Sequence, residues 1–370
     1  MEKELRSGYT TGACAAAGVK AALLYEAGES WQMVELTALD GTRLTIPVKD
    51  MQEIDGGLQA EVVKFSGDDP DITNGVSVFT LLRHLPYKKP EVRFKAGKGI
   101  GTVTKPGLAL PVGEPSINPG PRQLIRNVVA EVLGENHTAL EVTISIPAGV
   151  ELAPKTLNPI LGVRGGLSVI GTTGVLRPMS EEGFKNSLVP QIDVAKAAGF
   201  DDIIFVPGKI GERIATAWNL PQEAMVQTSN FIGFMLEAAA KRDVGRVLLL
   251  GHIGKLSKVA AGVFYTHNRV ADGRLETMAA YSAAAGLGQN EVQELLASNT
   301  TEDALQILDR AGLTQTVCRT LAMRASARAE RYLFGKMKVG TVMVTLTGEL
   351  LGMDDTAREI GEGFGWKIPE

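Results

Sequence analysis

Apolar positions along the chain follow distinct rhythms, and each predicts an element. Residues 11–27 are rich in alanine behind Thr10 and Thr11, either of which can cap a helix, so a helix is expected there. Val34, Leu36 and Leu39 lead into Asp40-Gly41, a strong hairpin turn, and Leu44, Ile46 and Val48 alternate beyond it. Further strands are expected over 59–65 and 76–82, on either side of the polar loop SGDDPDITNG at 66–75. From Pro121 onward Leu124, Ile125, Val128, Val129, Val132 and Leu133 recur at helical spacing. Leu140, Val142, Ile144 and Ile146 then alternate as a strand. This first half reads as α+β.

A stretch rich in proline and glycine at 147–166 is the expected domain boundary. Beyond it the rhythm changes to continuous apolar runs at 167–170, 203–206, 247–250 and 339–346, the pattern of buried parallel strands. Helical segments at 192–198, 231–241, 276–285, 304–309 and 317–334 alternate with them. The reading is therefore an α+β N-terminal domain at 1–150, followed by an α/β Rossmann-like C-terminal domain at 151–370. A ligand cleft is expected between the two.

Composition narrows the function. Thirty-eight basic against 42 acidic residues give a net charge of −4, so no global field draws the chain to nucleic acid or anionic lipid. An anionic ligand must be held by local cations. The two cysteines, Cys14 and Cys318, support neither a disulfide framework nor a four-cysteine metal site. No apolar run approaches a membrane helix and no signal peptide opens the chain, which predicts a cytoplasmic protein.

Four constellations carry candidate chemistry. Gly171-Thr172-Thr173-Gly174 follows the expected strand 167–170, with Arg177 in reach; ligands of open α/β sheets bind at the carboxyl ends of strands. Gly251-His252-Ile253-Gly254-Lys255 follows the strand 247–250, and Lys255 and Lys258 suit an anionic ligand. His267 is followed by Asp272 and Glu276, whose spacing of four places both carboxylates on one helix face. They would hold ribose hydroxyls or a cationic group, or simply favour a helix start. Glu151, Lys155, Asn158 and Arg164 would line the cleft. The second half has only His252 and His267, without paired spacing, so no metal site is expected. The glycines of AGKGIGTVT (96–104) run into Val103 and Pro106 rather than opening a helix, so a hairpin is expected there instead of a phosphate loop. The acidic positions Asp68, Asp69 and Asp71 lack a calcium-loop pattern and read as a turn.

Several long motifs, in one order, resemble the CbiD family of cobalt-precorrin-5B C1-methyltransferases. They are GYTTGACAAA (8–17), GDDPDITNG (67–75), GIGTVTKPGL with GEPSINPGPR (99–122), PAGVELAPKTLNPILGVRGGLSVIGTTGVLRPMS (147–180), and GHIGKLSKVAAGVFYTH with ADGRLE (251–276). The sequence departs from that family's pattern at Ile160, where arginine is expected, and at Gly273, where alanine is expected.

The resemblance implies S-adenosylmethionine as methyl donor and cobalt-precorrin-5B as acceptor, in a step of anaerobic cobalamin biosynthesis that gives cobalt-precorrin-6A. Cobalt would arrive with the substrate, so no protein-bound metal is implied. The donor would use Gly171, Thr172, Thr173, Gly174, Gly251 and Gly254, with Asp272 or Glu276 on its ribose or amino group. His252 or His267 would assist proton removal. Lys155, Arg164, Arg177, Lys255 and Lys258 would hold the carboxylates of the tetrapyrrole. Two rival classes are a non-catalytic tetrapyrrole carrier and a nicotinamide oxidoreductase; against the latter, no G-x-G-x-x-G opens a helix after a strand. A homo-oligomer is compatible with the sequence.

Overall fold

The structure is a computed structural model that describes residues 5–54, 56–87, 89–134, 137–178 and 180–367. It is a mixed α/β protein with several sheets. The chain divides into two compact units, Met1–Glu181 and Glu182–Glu370. The division thus falls later than the boundary expected at 150/151.

The first unit opens with a short strand, β1 (Gly8–Tyr9), and a helix, α1 (Thr11–Glu26). Thr10 caps α1 by accepting from the Ala13 N–H at 3.2 Å. β2 (Met33–Thr37) and β3 (Arg43–Pro47) form the hairpin expected around Asp40-Gly41, with Thr37 opposite Arg43. Then come β4 (Asp50–Ile54), β5 (Gly57–Val63), β6 (Ser77–His84), β7 (Val92–Ala96), β8 (Thr102–Val103), α2 (Pro119–Leu133) and β9 (Leu140–Ser145). The main sheet has the order β4-β5-β6-β9-β7 and is antiparallel except for the β7–β9 pair. Leu58, Ala60 and Val62 of β5 and Val142 and Ile144 of β9 alternate into the core.

Helix α1 is buried along almost its whole length, so it is built from small residues rather than from an amphipathic pattern. A Cβ at Gly18 would lie 2.7 Å from Thr80 Oγ1, which shows how closely α1 rides on β6. α2 is amphipathic and buries Leu124, Ile125, Val128 and Val129.

The unit closes with the short helices α3 (Gly149–Leu152) and α4 (Asn158–Leu161) and the strands β10 (Val163–Arg164) and β11 (Val175–Leu176). β10 pairs with β8, and β11 pairs with β1. The apolar run 167–170 is not a strand of the parallel sheet, as its composition suggested. It makes isolated bridges, Leu167 to Ile100 and Val169 to Ile117, inside the first unit. A four-residue apolar run reports burial and not which sheet covers it.

The second unit holds α5 (Glu181–Leu188), which begins at the division, α6 (Pro190–Ala197), β12 (Ile203–Val206), α7 (Lys209–Ala217), β13 (Met225–Gln227) and α8 (Ile232–Ala240). They are followed by β14 (Arg246–His252), α9 (Ile253–Ala260), α10 (Arg274–Ala284), α11 (Gln289–Leu296), α12 (Thr301–Arg310), α13 (Thr314–Tyr332), β15 (Lys338–Val344), β16 (Leu350–Met353) and α14 (Asp355–Gly363). The sheet order is β13-β12-β14-β15-β16, parallel except for the edge strand β16. Ile204, Val206, Leu248, Leu250, Val342 and Val344 share one core with Ile214 of α7 and Ile360 of α14. The intervening strand residues are buried too, so both faces of this sheet are covered.

Candidate functional site

Counted within the second unit, the strand order is 2-1-3-4-5. The order reverses between β12 and β14, and an open sheet binds ligands outside the carboxyl ends of its strands at such a reversal. Three segments meet there. Pro207 and Gly208 leave β12 and enter α7, Thr228 and Ser229 leave β13, and His252 to Lys255 leave β14 and enter α9.

Lys255 reaches across the end of β12. Its Nζ donates to the Pro207 carbonyl oxygen at 2.6 Å and approaches the Ser229 carbonyl oxygen at 3.5 Å. Among the described residues no carboxylate pairs with it. Burial, and then the nearby Lys258, pull its ammonium below the ordinary lysine range. Ser229 is held at φ 53, a left-handed conformation uncommon for a residue with a side chain.

Gly208 is the feature that sequence reasoning missed. Its φ of 171 and ψ of 178 are extended, so its backbone does not require glycine. A Cβ built there would have one described heavy atom beyond its chain neighbours within 4 Å, Lys255 Nζ at 3.8 Å. Gly211, three residues on, is different: its Cβ would press to 2.8 Å from the Leu250 carbonyl oxygen, so it sets the packing of α7 on β14. The signal was present as FVPGKIG, a strand running into G-x-x-G, but α7 had not been expected and the turn therefore went unread.

The other glycines at these strand ends are explained by packing. A Cβ on Gly251 would touch the Pro207 ring at 3.1 Å, and one on Gly254 would lie 3.0 Å from the His252 ring. His252 is corrected from proton acceptor to helix cap. Its Nδ1 accepts the Gly254 N–H at 3.1 Å, so in the neutral ring Nε2 carries the proton and donates to Glu302 Oε1 at 2.6 Å. Neither nitrogen offers a lone pair. Burial works against the Glu302 carboxylate, but the hydrogen bonds from His252 and Thr301 help to outweigh it and hold its pKa below the ordinary range.

His267 is corrected on the same ground: its Nδ1 accepts the Arg269 N–H at 3.2 Å, which leaves Nε2 as a donor. Lys258 is corrected as a carboxylate anchor. It is 1% exposed, and its Nζ donates to Asn268 Oδ1 at 2.6 Å and the Thr266 carbonyl oxygen at 3.2 Å, with Asp272 at 3.9 Å. It therefore ties down the loop between α9 and α10. Asp272 lies before α10 rather than on it and pairs with Arg274 at 3.0 Å; Glu276 is exposed in the first turn of that helix. The two carboxylates thus do not share the helix face expected of them.

Gly171-Thr172-Thr173-Gly174 lies in the first unit and does not follow a strand of the parallel sheet. The carbonyl oxygens of Ile170, Thr173 and Gly174 accept from the N–H groups of Gly12, Leu39 and Thr10 at 3.0, 2.8 and 3.0 Å. A Cβ on Gly171, which has φ 141, would fall 2.2 Å from Thr10 Oγ1. The motif is a packing partner of the N-terminus of α1. Arg177 is 72% exposed and pairs with Asp40 at 3.3 Å. Lys155 and Arg164 are exposed, whereas Asn158 is buried and bonds the Gly166 carbonyl oxygen at 3.0 Å. The acidic loop at 66–75 is a turn pinned by an ion pair to a residue ahead of it, Lys64 Nζ to Asp71 Oδ2 at 2.7 Å.

Among the described residues no group of three or more His, Cys, Asp or Glu side chains is placed to hold a metal, and no helix is long and apolar enough to cross a membrane. What this leaves at the reversal point of the parallel sheet is Lys255, with no carboxylate partner among the described residues, beside Gly208.

The profile of the CbiD family matches residues 1–178, and that of the CbiD C-terminal domain matches residues 265–355. A protein of Moorella thermoacetica named cobalt-precorrin-5B C(1)-methyltransferase is 46% identical over 370 residues, covering 99% of this chain and 100% of that one. One of the same name from Methanocaldococcus jannaschii is 44% identical over 354 residues, covering 95% of this chain and 97% of its own. Among solved structures, a cobalamin biosynthesis protein (cbiD) from Archaeoglobus fulgidus matches with a TM-score of 0.37 and 22% identity, over 73% of this chain and 84% of that one. The chain belongs to the CbiD family.

Proposed function

We propose that this chain is an S-adenosylmethionine-dependent methyltransferase that acts on C1 of cobalt-precorrin-5B, in the anaerobic route to cobalamin. The observation that carries the reading is the 46% identity, over the whole length of both chains, to a relative of that name. In this reading the first unit is an α+β domain and the second a Rossmann-like one, and the enzyme works in the cytoplasm.

The residues at the reversal point fit a small ligand with a carboxylate. Lys255 supplies a cation that among the described residues has no carboxylate partner, and Gly208 leaves room beside it. When bound, the donor supplies a methyl group already activated as a sulfonium, so no covalent enzyme intermediate is required. What the protein contributes is orientation, worth on the order of 7–11 kcal/mol when two reactants are held in line. The exposed cations Lys155, Arg164 and Arg177 are candidates for the carboxylates of the tetrapyrrole, which a net-acidic protein must meet by local charge.

The test is anaerobic incubation of the full chain with cobalt-precorrin-5B and labelled donor. Gain of one labelled methyl group at C1 is the expected result. Methylation at another carbon, or none by correctly folded protein, overturns the reading.

A further inference from the structure

Of the glycines where β12 and β14 run into α7 and α9, only Gly208 lacks a packing reason. Gly211 makes way for the Leu250 carbonyl, Gly251 for the Pro207 ring and Gly254 for the His252 ring. Gly208 is extended, so any residue could adopt its backbone, and the space where a side chain would stand holds no described atom nearer than the Lys255 ammonium. A glycine required neither by conformation nor by packing leaves room for a ligand to come close to the backbone, and at a reversal point that room lies where ligands bind. In dinucleotide-binding sheets the turn after the strand at the reversal carries a glycine that lets the ligand approach the backbone, and a second glycine three residues on for close helix–strand packing. Gly208 and Gly211 fit those two roles.

We propose that the carboxyl end of β12 binds the amino-acid end of the methyl donor, with Lys255 as the partner of its carboxylate and Gly208 as the backbone it lies against. The inference rests on the methyltransferase reading. It assigns Lys255 to the donor rather than to the tetrapyrrole, on two grounds. Lys255 is partly buried and already anchored by the Pro207 carbonyl, so it suits one carboxylate brought to a fixed place. The peripheral carboxylates of a macrocycle are better met by cations that stand in solvent, as Arg177 does at 72% exposure. Burial, and then Lys258, lower the pKa of Lys255, which a ligand carboxylate would reverse.

The experiment is calorimetric titration of the full chain with S-adenosylhomocysteine and with 5′-methylthioadenosine, which lacks the amino-acid carboxylate and ammonium. The proteins are wild type, Lys255→Met, Lys255→Arg and Gly208→Leu. Binding of S-adenosylhomocysteine to wild type tests the methyltransferase reading by itself; failure there overturns that reading and this inference with it. Given that binding, Lys255→Met should lose tenfold or more in affinity for S-adenosylhomocysteine while holding its affinity for methylthioadenosine within about twofold. Lys255→Arg should recover part of the loss, and Gly208→Leu should weaken S-adenosylhomocysteine without lowering the melting temperature. An equal loss for both ligands in Lys255→Met would mean structural damage and overturn the assignment. Unchanged affinity for both would move Lys255 to the tetrapyrrole side and overturn it as well.

Discussion

A methyl group added at Gly99 in the first unit would lie 1.9 Å from the Ile146 carbonyl oxygen, whereas one added at Gly208 in the second would meet only Lys255 Nζ, at 3.8 Å. Gly99 also sits at φ +79, and Gly149 and Gly166 close on it from two sides. The glycine-rich motifs of the first unit, GKGIG and GTTG, are therefore interlocked backbone. Gly208 has neither a strained backbone nor a neighbour to accommodate. The contrast teaches that a glycine motif becomes evidence for a ligand only after the space a side chain would fill has been inspected.

The sharpest way to break the comparison is to fill both kinds of space. Gly99→Ala combines a left-handed φ with a backbone collision, and should cost about 4 kcal/mol or more, or prevent folding. Urea unfolding reads it; a loss under 1 kcal/mol would remove the structural reading of that motif. Next in size is Asp71→Ala, which strands Lys64, a side chain 2% exposed. Removing one partner of such a pair costs about 3–5 kcal/mol. The same pair predicts an acid limb. Burial opposes the Asp71 carboxylate, but the hydrogen bonds from Lys64 and Thr73 outweigh it and lower its pKa. Its contribution is thus fully present above the ordinary aspartate range, and is lost as pH falls through the lower value of the folded state. Wild type should weaken in that window more steeply than Asp71→Asn; parallel profiles would contradict it.

His252→Ala removes the cap of α9 and should cost about 1 kcal/mol. If His252 only caps, methyl transfer by the folded variant should persist; a fall of a thousandfold at unchanged stability would restore it as a catalytic group. The smallest effect on stability belongs to Gly208→Ala, where the melting free energy should change by no more than about 0.5 kcal/mol. Thermal unfolding checks this, and a large loss there would erase the difference between the two units.

Much of the architecture was legible. Three of the four parallel strands of the second unit, β12, β14 and β15, announced themselves because they are buried on both faces, whereas β13, three residues long, did not. The hairpin was legible from Asp40-Gly41, whose glycine takes a positive φ in the loop. The helix after Thr10 was legible from its alanine content and the threonines that can cap it. The site was less so. The apolar run 167–170 looked like the strands downstream, and its bridges to Ile100 and Ile117 depend on distant segments that no local pattern names. That one misplacement carried GTTG into the wrong unit. The second half of the sequence shows two imidazoles, His252 and His267, but which ring nitrogen is spent follows from the N–H groups of Gly254 and Arg269. Gly208 was hidden because KIGERIATA at 209–217 mixes charge and small residues, so no helix was seen to open after it.

Hydrogen–deuterium exchange on the full chain, with and without saturating S-adenosylhomocysteine, tests the central claim most directly. Slowed exchange is expected in peptides covering residues 206–211, 228–231 and 251–258, and unchanged exchange at 8–17 and 169–176. Protection of 8–17 and 169–176, with 206–211 left unchanged, would place the donor on the GTTG motif and contradict it.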